Sequence, residues 1–297
     1  MLPLKKSSRK APTLIITVGI LITSGFFLIS AQRNTAQQSN LQSNSVPSSN
    51  LQSNSVPSNN VPSNNPSNQS SWAMPTILTT ETVIQHSAYG LVYNHKHMQA
   101  KWVAYNLTYG NTIGGAERSS KFSIDPSISP RTAVTSDYTK TGYDRGHLAP
   151  AGDMKFSAQA MSESFYMSNV SPQLPGFNRG IWKKLEEQFR TWAPSSHPVF
   201  VVTGPVLTDP IGSPYIGQTC HISVPERFYK IMLDTASPMR AIAFILPNNS
   251  STQPLSSFAM SIDEAERITG IDFFPKLNDL QEAKIEKTLI LNQWRFD

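Results

Sequence analysis

Residues 141–154 read TGYDRGHLAPAGDM. Asp144, Arg145 and His147 fall within four positions of a segment whose glycines and prolines allow neither a long helix nor an uninterrupted strand. His147 is the natural base near neutral pH, since an unperturbed imidazole titrates at about 6.5. Arg145 is a permanent cation whose planar fork matches two phosphate oxygens at once. A base beside such a cation suits attack of water on a phosphodiester. The same residues equally suit a loop in which Asp144 pairs with Arg145 while the histidine bonds to backbone. The motif alone leaves both readings open.

A second stretch, SNVSPQLPGFNRGIWKKLEEQFR at 168–190, adds oxygen donors. Asn169 and Asn178 bracket a loop containing proline and glycine that delivers the chain to a helix. Asn178 lies three residues before that helix's first apolar position, where a side chain can cap it. Glu186 sits on the margin of the helix's apolar stripe, where an ion pair with Arg190 at i+4 would contribute a few tenths of a kcal/mol. In the functional reading Asn178 is an oxygen ligand and Glu186 accepts from metal-bound water. Mg²⁺ suits such a site because it retains several waters and needs only one or two protein ligands.

DRGHLAPAGDM followed by NVSPQLPGFNRGIWKKLE resembles the DNA/RNA non-specific endonuclease family, which includes mitochondrial endonuclease G and secreted bacterial nucleases. The specific signal is the spacing, with Asn169 22 residues after His147, Asn178 nine further on and Glu186 eight beyond that. The similarity runs from about Trp102 to the IDEAERITGIDFFPKL segment. It implies an α+β fold, a ββα-metal (His-Me finger) nuclease core with a central, mostly antiparallel sheet flanked by helices. It implies His147 as general base, Asn178 as ligand of a single Mg²⁺ (Mn²⁺ as substitute), and Glu186 bound to that ion through water. Asn169 matches a second site asparagine. Arg145 would meet the phosphate or the transition state, and Arg118 in ERSSKFSIDP aligns with a further family arginine. With Arg179 and Lys183 these cations would grip DNA and RNA. A second copy of the chain and an inhibitor protein are further partner classes the resemblance implies.

The elements that must position these residues are legible in part. QAKWVAYNLTY, HPVFVVTGPVL and MRAIAFILPN are aromatic and β-branched runs closed by Gly, Pro or Asn, and read as strands of a central sheet. GIWKKLEEQFRTW places Ile181, Trp182, Leu185, Phe189 and Trp192 at helical intervals. SIDEAERITG opens with Ser261 and Glu264 in capping-box positions and closes on Gly270. Strands and helices do not alternate regularly, which predicts a mixed α+β domain. The single cysteine, Cys220, excludes an intrachain disulfide and reads as a buried structural thiol in a strand.

The net charge of +5 does not mark a polyanion-binding surface. Five of the 25 basic residues lie in 1–33, no charge falls in 34–80, and from Glu81 onward 20 bases balance 20 acids. Phosphate binding must therefore come from a local cluster.

Residues 1–12 are basic, and 13–31 contain an 18-residue charge-free run, between the lengths of a secretory h-region and a membrane-spanning helix. Ile29 is a poor match to the small residue that cleavage after Ala31 requires, which favours an uncleaved signal anchor over a removed signal peptide. A mitochondrial presequence would be amphipathic, so the expectation is export, with the domain tethered outside the cytoplasm or secreted. Residues 32–71, charge-free after Arg33, carry LQSNSVPS-type decamer repeats and read as a disordered linker, leaving 72–297 as the endonuclease domain.

The other histidines build no rival site. His95 and His97 form a His-x-His pair with no third ligand nearby in sequence, and a surface loop is the expectation; His86, His197 and His221 stand alone. Gly114-Gly115 is too short for a phosphate cradle. Two alternatives remain, a tethered module that binds nucleic acid without cutting it and a phosphodiesterase for small or lipid substrates.

Overall fold

The computed structural model describes residues 74–208, 214–218 and 220–296. The basic segment 1–12, the apolar segment 13–31, the linker 32–71 and the proposed domain start near Trp72 lie outside them. Among the described residues no helix is long and apolar enough to cross a membrane.

The strands are β1 (Val83–Gln85), β2 (Tyr89–Asn94), β3 (Gln99–Leu107), β4 (Asp144–His147), β5 (Val170–Gln173), β6 (Val199–Pro205), β7 (Tyr215–Ile216), β8 (Ile222–Ser223), β9 (Arg227–Asp234), β10 (Arg240–Pro247) and β11 (Ala259–Met260). Among the described residues five α-helices accompany them, α1 (Tyr109–Thr112), α2 (Ala158–Ser164), α3 (Lys183–Trp192), α4 (Ile262–Thr269) and α5 (Asp279–Ile285). Seven strands form one sheet in the order β1-β2-β3-β6-β9-β10-β11, with every pairing antiparallel.

Both faces of this sheet are covered, which explains why its central strands read as almost continuous apolar runs. Along β10, Ile242, Phe244 and Leu246 pack into one cluster with Trp182, Leu185 and Phe189 of the α3 region. The alternate residues Ala241, Ala243 and Ile245 face the opposite way, against Ile262 and Ala265 of α4 and Ile285 of α5. Leu185 and Phe189 are fully buried, and each burial contributes about 1.5–3 kcal/mol of transfer free energy. The three long strands predicted from sequence are β3, β6 and β10.

Beside this sheet, β4 and β5 pair antiparallel in the register Asp144↔Gln173 to His147↔Val170, and the chain then enters α3. Two paired strands followed by a helix form the ββα unit of an α+β domain. DRGH is thus a four-residue strand, short enough to fit between the glycines and prolines. The close approach at Gly146 requires glycine, because a Cβ there would lie 2.2 Å from Cδ of Gln173 on β5.

Three local expectations change. The helix expected from Gly180 is regular only from Lys183, because Phe177–Trp182 forms a wider π-helical turn broken at Gly180 (φ −108°, ψ −110°). Ser261 caps α4 by accepting from the Glu264 amide at 3.3 Å, but the Glu264 carboxylate pairs with Arg267 instead of completing the box. His97 is buried and bonded to Ser223 Oγ at 2.9 Å, not on the surface. Cys220 is buried as expected, its thiol donating to the Thr132 carbonyl.

Candidate active site

The ββα unit brings the predicted residues to one open cleft of about 740 Å³, whose walls include Arg118, Arg145, His147, Asn178, Arg179, Lys183 and Glu186. Strand β4 supplies Arg145 and His147 on one side, and the π-turn and first turn of α3 supply Asn178 and Glu186 on the other.

His147 is held between aromatic rings, with centroids 5.2 Å from Phe122 and 4.7 Å from Phe165. Its Nε2 is buried without a hydrogen-bond partner. Burial, and then the Arg118 charge, push the imidazole down to about 3, so the ring is neutral across the physiological range. A neutral imidazole keeps one nitrogen lone pair for a proton.

Asp144 does not pair with Arg145. Its Oδ2 accepts from Asn178 Nδ2 at 2.9 Å and from Arg179 Nε at 2.8 Å, and its Oδ1 accepts from Arg179 at 2.6 Å. Burial works to raise the Asp144 carboxyl, but these hydrogen bonds and the charges of Arg179 and Arg145 hold it below the usual carboxylate range. Arg145 instead donates to the Thr135 carbonyl at 2.6 Å and lies over the Phe122 and Tyr138 rings. Arg118 is exposed, its guanidinium 5.3 Å from the Phe165 centroid.

Asn178 is not a helix cap; it lies inside the π-turn, where Gly176 takes the N-terminal position without a side-chain cap. Because its Nδ2 is committed to Asp144, the amide keeps Oδ1 as the atom that could meet a cation. Glu186 does not pair with Arg190 either, since Arg190 binds Asp153 at 2.8 Å. That leaves the half-buried Glu186 carboxylate with no hydrogen-bond partner among the described residues. Burial, with Asp153 nearby, pushes Glu186 up, while Lys230, Arg190 and Arg118 pull it back down. Two hard oxygen donors, one oriented and one unpaired, fit a small divalent cation such as Mg²⁺ or Mn²⁺.

Asn169 is the one predicted residue that does not line the cleft. It is fully buried, its Oδ1 accepts from the Ala149 amide at 2.9 Å, and its Nδ2 donates to the Ala149 and Ser164 carbonyls. It ties the chain leaving His147 to the end of α2, so it positions the site without touching it.

Sequence reasoning missed the support beneath Glu186. Lys230 on β9 is fully buried and donates to the Tyr105 hydroxyl at 3.1 Å, which in turn donates to Asp153 at 2.9 Å. Burial pushes this lysine down, while Glu186 and Asp153 hold it up. The available signal was a lysine in the middle of the apolar strand RFYKIML. A larger opening of about 900 Å³ beside His86, Glu163 and Tyr166 has no lysine or arginine in its lining, and His86 is fixed to Asp125 at 2.9 Å.

Comparison with known proteins bears on the family and the fold. Residues 75–280 match the family model for DNA/RNA non-specific endonucleases. The mitochondrial nuclease EXOG of Danio rerio is 38% identical over 207 residues, covering 64% of this chain and 60% of that protein. Nuclease C1 of Cunninghamella echinulata var. echinulata is 34% identical over 229 residues, covering 72% of this chain and 91% of that protein. The chain thus spans about 60% of the length of the EXOG relatives it matches. The crystal structure of an EndoG/EndoGI complex, which addresses the mechanism of EndoG inhibition, superposes with a TM-score of 0.63 at 30% identity, covering 71% of this chain and 91% of that chain. A ββα core matched in both sequence and structure places the chain in the DNA/RNA non-specific endonuclease family.

Proposed function

We propose that this chain hydrolyses phosphodiester bonds within DNA and RNA without reading base sequence. The observation that carries the reading is a neutral imidazole, His147, sharing one cleft with Arg118, Arg145, Arg179 and Lys183 and with the unpaired oxygen donors of Asn178 and Glu186. His147 takes the proton from the attacking water, and its burial keeps it unprotonated and ready. Arg145 and Arg118 flank the imidazole and face the phosphate, where negative charge grows during attack. Asn178 and Glu186 would hold Mg²⁺ or Mn²⁺, which when bound supplies charge neutralisation for the phosphate and the leaving oxygen. Asp144 fixes the Asn178 amide and neutralises Arg179.

Because the folded region is charge-balanced, the grip is local to these cations and falls with salt. The cleft's cations suit phosphate contacts, which hold a nucleic acid without reading its sequence. An inhibitor protein that covers this cleft is a fitting partner, as an inhibitor complex exists for the structural relative. The apolar segment 13–31 and linker 32–71 would tether the domain outside the cytoplasm.

The test is incubation of the purified full-length chain with supercoiled plasmid and with RNA, in Mg²⁺ or in EDTA. Loss of both polymers only with the metal supports the reading. Intact polymers that are retarded on a gel would replace it with a binding module, and cleavage of small diesters alone with a phosphodiesterase.

A further inference from the structure

On the face of the central sheet opposite α3, the C-terminal segment gathers oxygen donors that the cleft does not use. Asp263 and Glu266 stand one turn apart on α4, and Glu286 directly follows α5. One carboxylate oxygen from each of the three lies within 4.8 Å of the other two. Glu286 is only 3% exposed, and its Oε1 is fully buried with no hydrogen-bond partner. An ionised carboxylate taken out of water without a partner is strongly unfavourable, so such a group either keeps its proton or meets a cation.

The backbone at Glu286 is tied to both helices. Its amide donates to the Glu282 carbonyl at 2.9 Å, and its carbonyl accepts from the Asp263 amide at 3.1 Å. Among the described residues no basic side chain forms an ion pair with it. Arg267, the basic residue of α4, is engaged by Glu264. After burial itself, the groups acting on Glu286 are Glu266, Glu282, Asp272 and Asp263, all acids, and together they push its carboxyl up to about 8. Glu266 is likewise pushed up to about 7, by burial first, although the Phe273 amide donates to it at 2.8 Å.

We propose that Asp263, Glu266 and Glu286 bind a divalent cation, Ca²⁺ in preference to Mg²⁺, which pins α5 to α4. Three oxygens within 4.8 Å of one another share a point no more than about 2.8 Å from each, so side-chain shifts of a few tenths of an ångström bring all three to the Ca²⁺–oxygen distance of about 2.3–2.6 Å. Ca²⁺ accepts irregular sets of six to eight oxygens, whereas Mg²⁺ demands a near-ideal octahedron and gives up its waters reluctantly. Three carboxylates from two separate elements, with Asp272 and Glu282 adding field, match the first ion. This site does not rest on the nuclease reading, and its failure would leave the cleft untouched.

The test uses the full-length chain stripped of metal, in an Asn178→Ala background that removes the cleft's proposed ligand. Titration with Ca²⁺ is followed by calorimetry and by thermal unfolding. The expected result is one Ca²⁺ per chain and a rise in Tm of about 5–10 °C at a hundredfold excess over Kd. Glu286→Gln should abolish both, and in EDTA it should unfold no lower than its parent, since a repelled buried charge is gone. Asp263→Asn, at an exposed position, should weaken Ca²⁺ at least tenfold even if Glu286→Gln fails to fold. Absence of binding in the parent, or an undiminished Tm rise in both variants, would overturn the proposal.

Discussion

Asp144→Ala is the substitution that most sharply separates holding the metal from holding the fold. The carboxylate makes three hydrogen bonds, one to Asn178 at 2.9 Å and two to Arg179 at 2.8 and 2.6 Å. The Arg179 side chain is 72% exposed, so solvent screens that pair and it adds little to stability. The bond to Asn178 matters differently, because it fixes which end of the amide faces the cleft. A hydrogen bond to a charged acceptor is worth about 1.5–3 kcal/mol, and the loss of such an orienting partner weakens metal sites about 10–100-fold. Asp144→Ala should therefore raise the Mg²⁺ concentration for half-maximal plasmid cleavage by about 10–100-fold. Tm should fall by only a few degrees, and binding of DNA in EDTA should not weaken, since the change removes an acid from the cleft. Asp144→Asn, which retains an acceptor oxygen, should show a smaller shift. The assay is a Mg²⁺ titration of initial cleavage rates for each variant. An unchanged Mg²⁺ requirement, with a rate that stays low at saturating metal, would refute the orienting role.

Further outcomes follow from the same contacts. Gly146→Ala places a Cβ 2.2 Å from Gln173 and should destabilise the chain by about 1–3 kcal/mol in urea unfolding. Asn169→Ala deletes three buried hydrogen bonds to backbone and should lower stability on the order of 3 kcal/mol and slow cleavage without changing the Mg²⁺ requirement. His147, pushed down to about 3 when folded, sits below its unfolded value of about 6.5. The unfolded chain then binds a proton the folded chain refuses, so this contribution is complete above pH 6.5 and is lost as pH falls toward 3. At pH 5 the loss is about 2 kcal/mol, and it should be missing from His147→Ala when both are unfolded in EDTA. Arg118→Ala should reduce the slope of log affinity against log salt by about 1, measured by anisotropy with a labelled duplex in EDTA.

Much of the site was legible because its residue types are few and local. DRGH, Asn178 and Glu186 lie within 43 positions, and the short ββα connection brings them to one cleft. The long strands were legible because both of their faces are buried, which leaves unbroken apolar runs. What escaped was set by contacts distant in sequence. Which cation Asp144 takes was decided by a π-turn 35 residues away, not by the adjacent Arg145. The Glu186–Arg190 pair was plausible on helical spacing, yet Asp153 on another segment claims the arginine. Asn169 matched a motif but faces inward, and motif matching cannot tell a side chain that touches substrate from one that braces a loop. The β1–β2 hairpin, α2 and α5 were not anticipated from their short and mixed patterns, and the Glu286 cluster arises only when α5 folds back on α4.

The central claim is that His147 acts as the base rather than as a binding residue. The most direct measurement compares His147→Ala with the wild-type chain, reading duplex affinity in EDTA and single-turnover plasmid cleavage in Mg²⁺. The account predicts an affinity equal to wild type and a cleavage rate lower by about 10²–10⁴-fold. A variant that still cuts at the wild-type rate, or one whose lost cleavage is matched by lost binding, would contradict it.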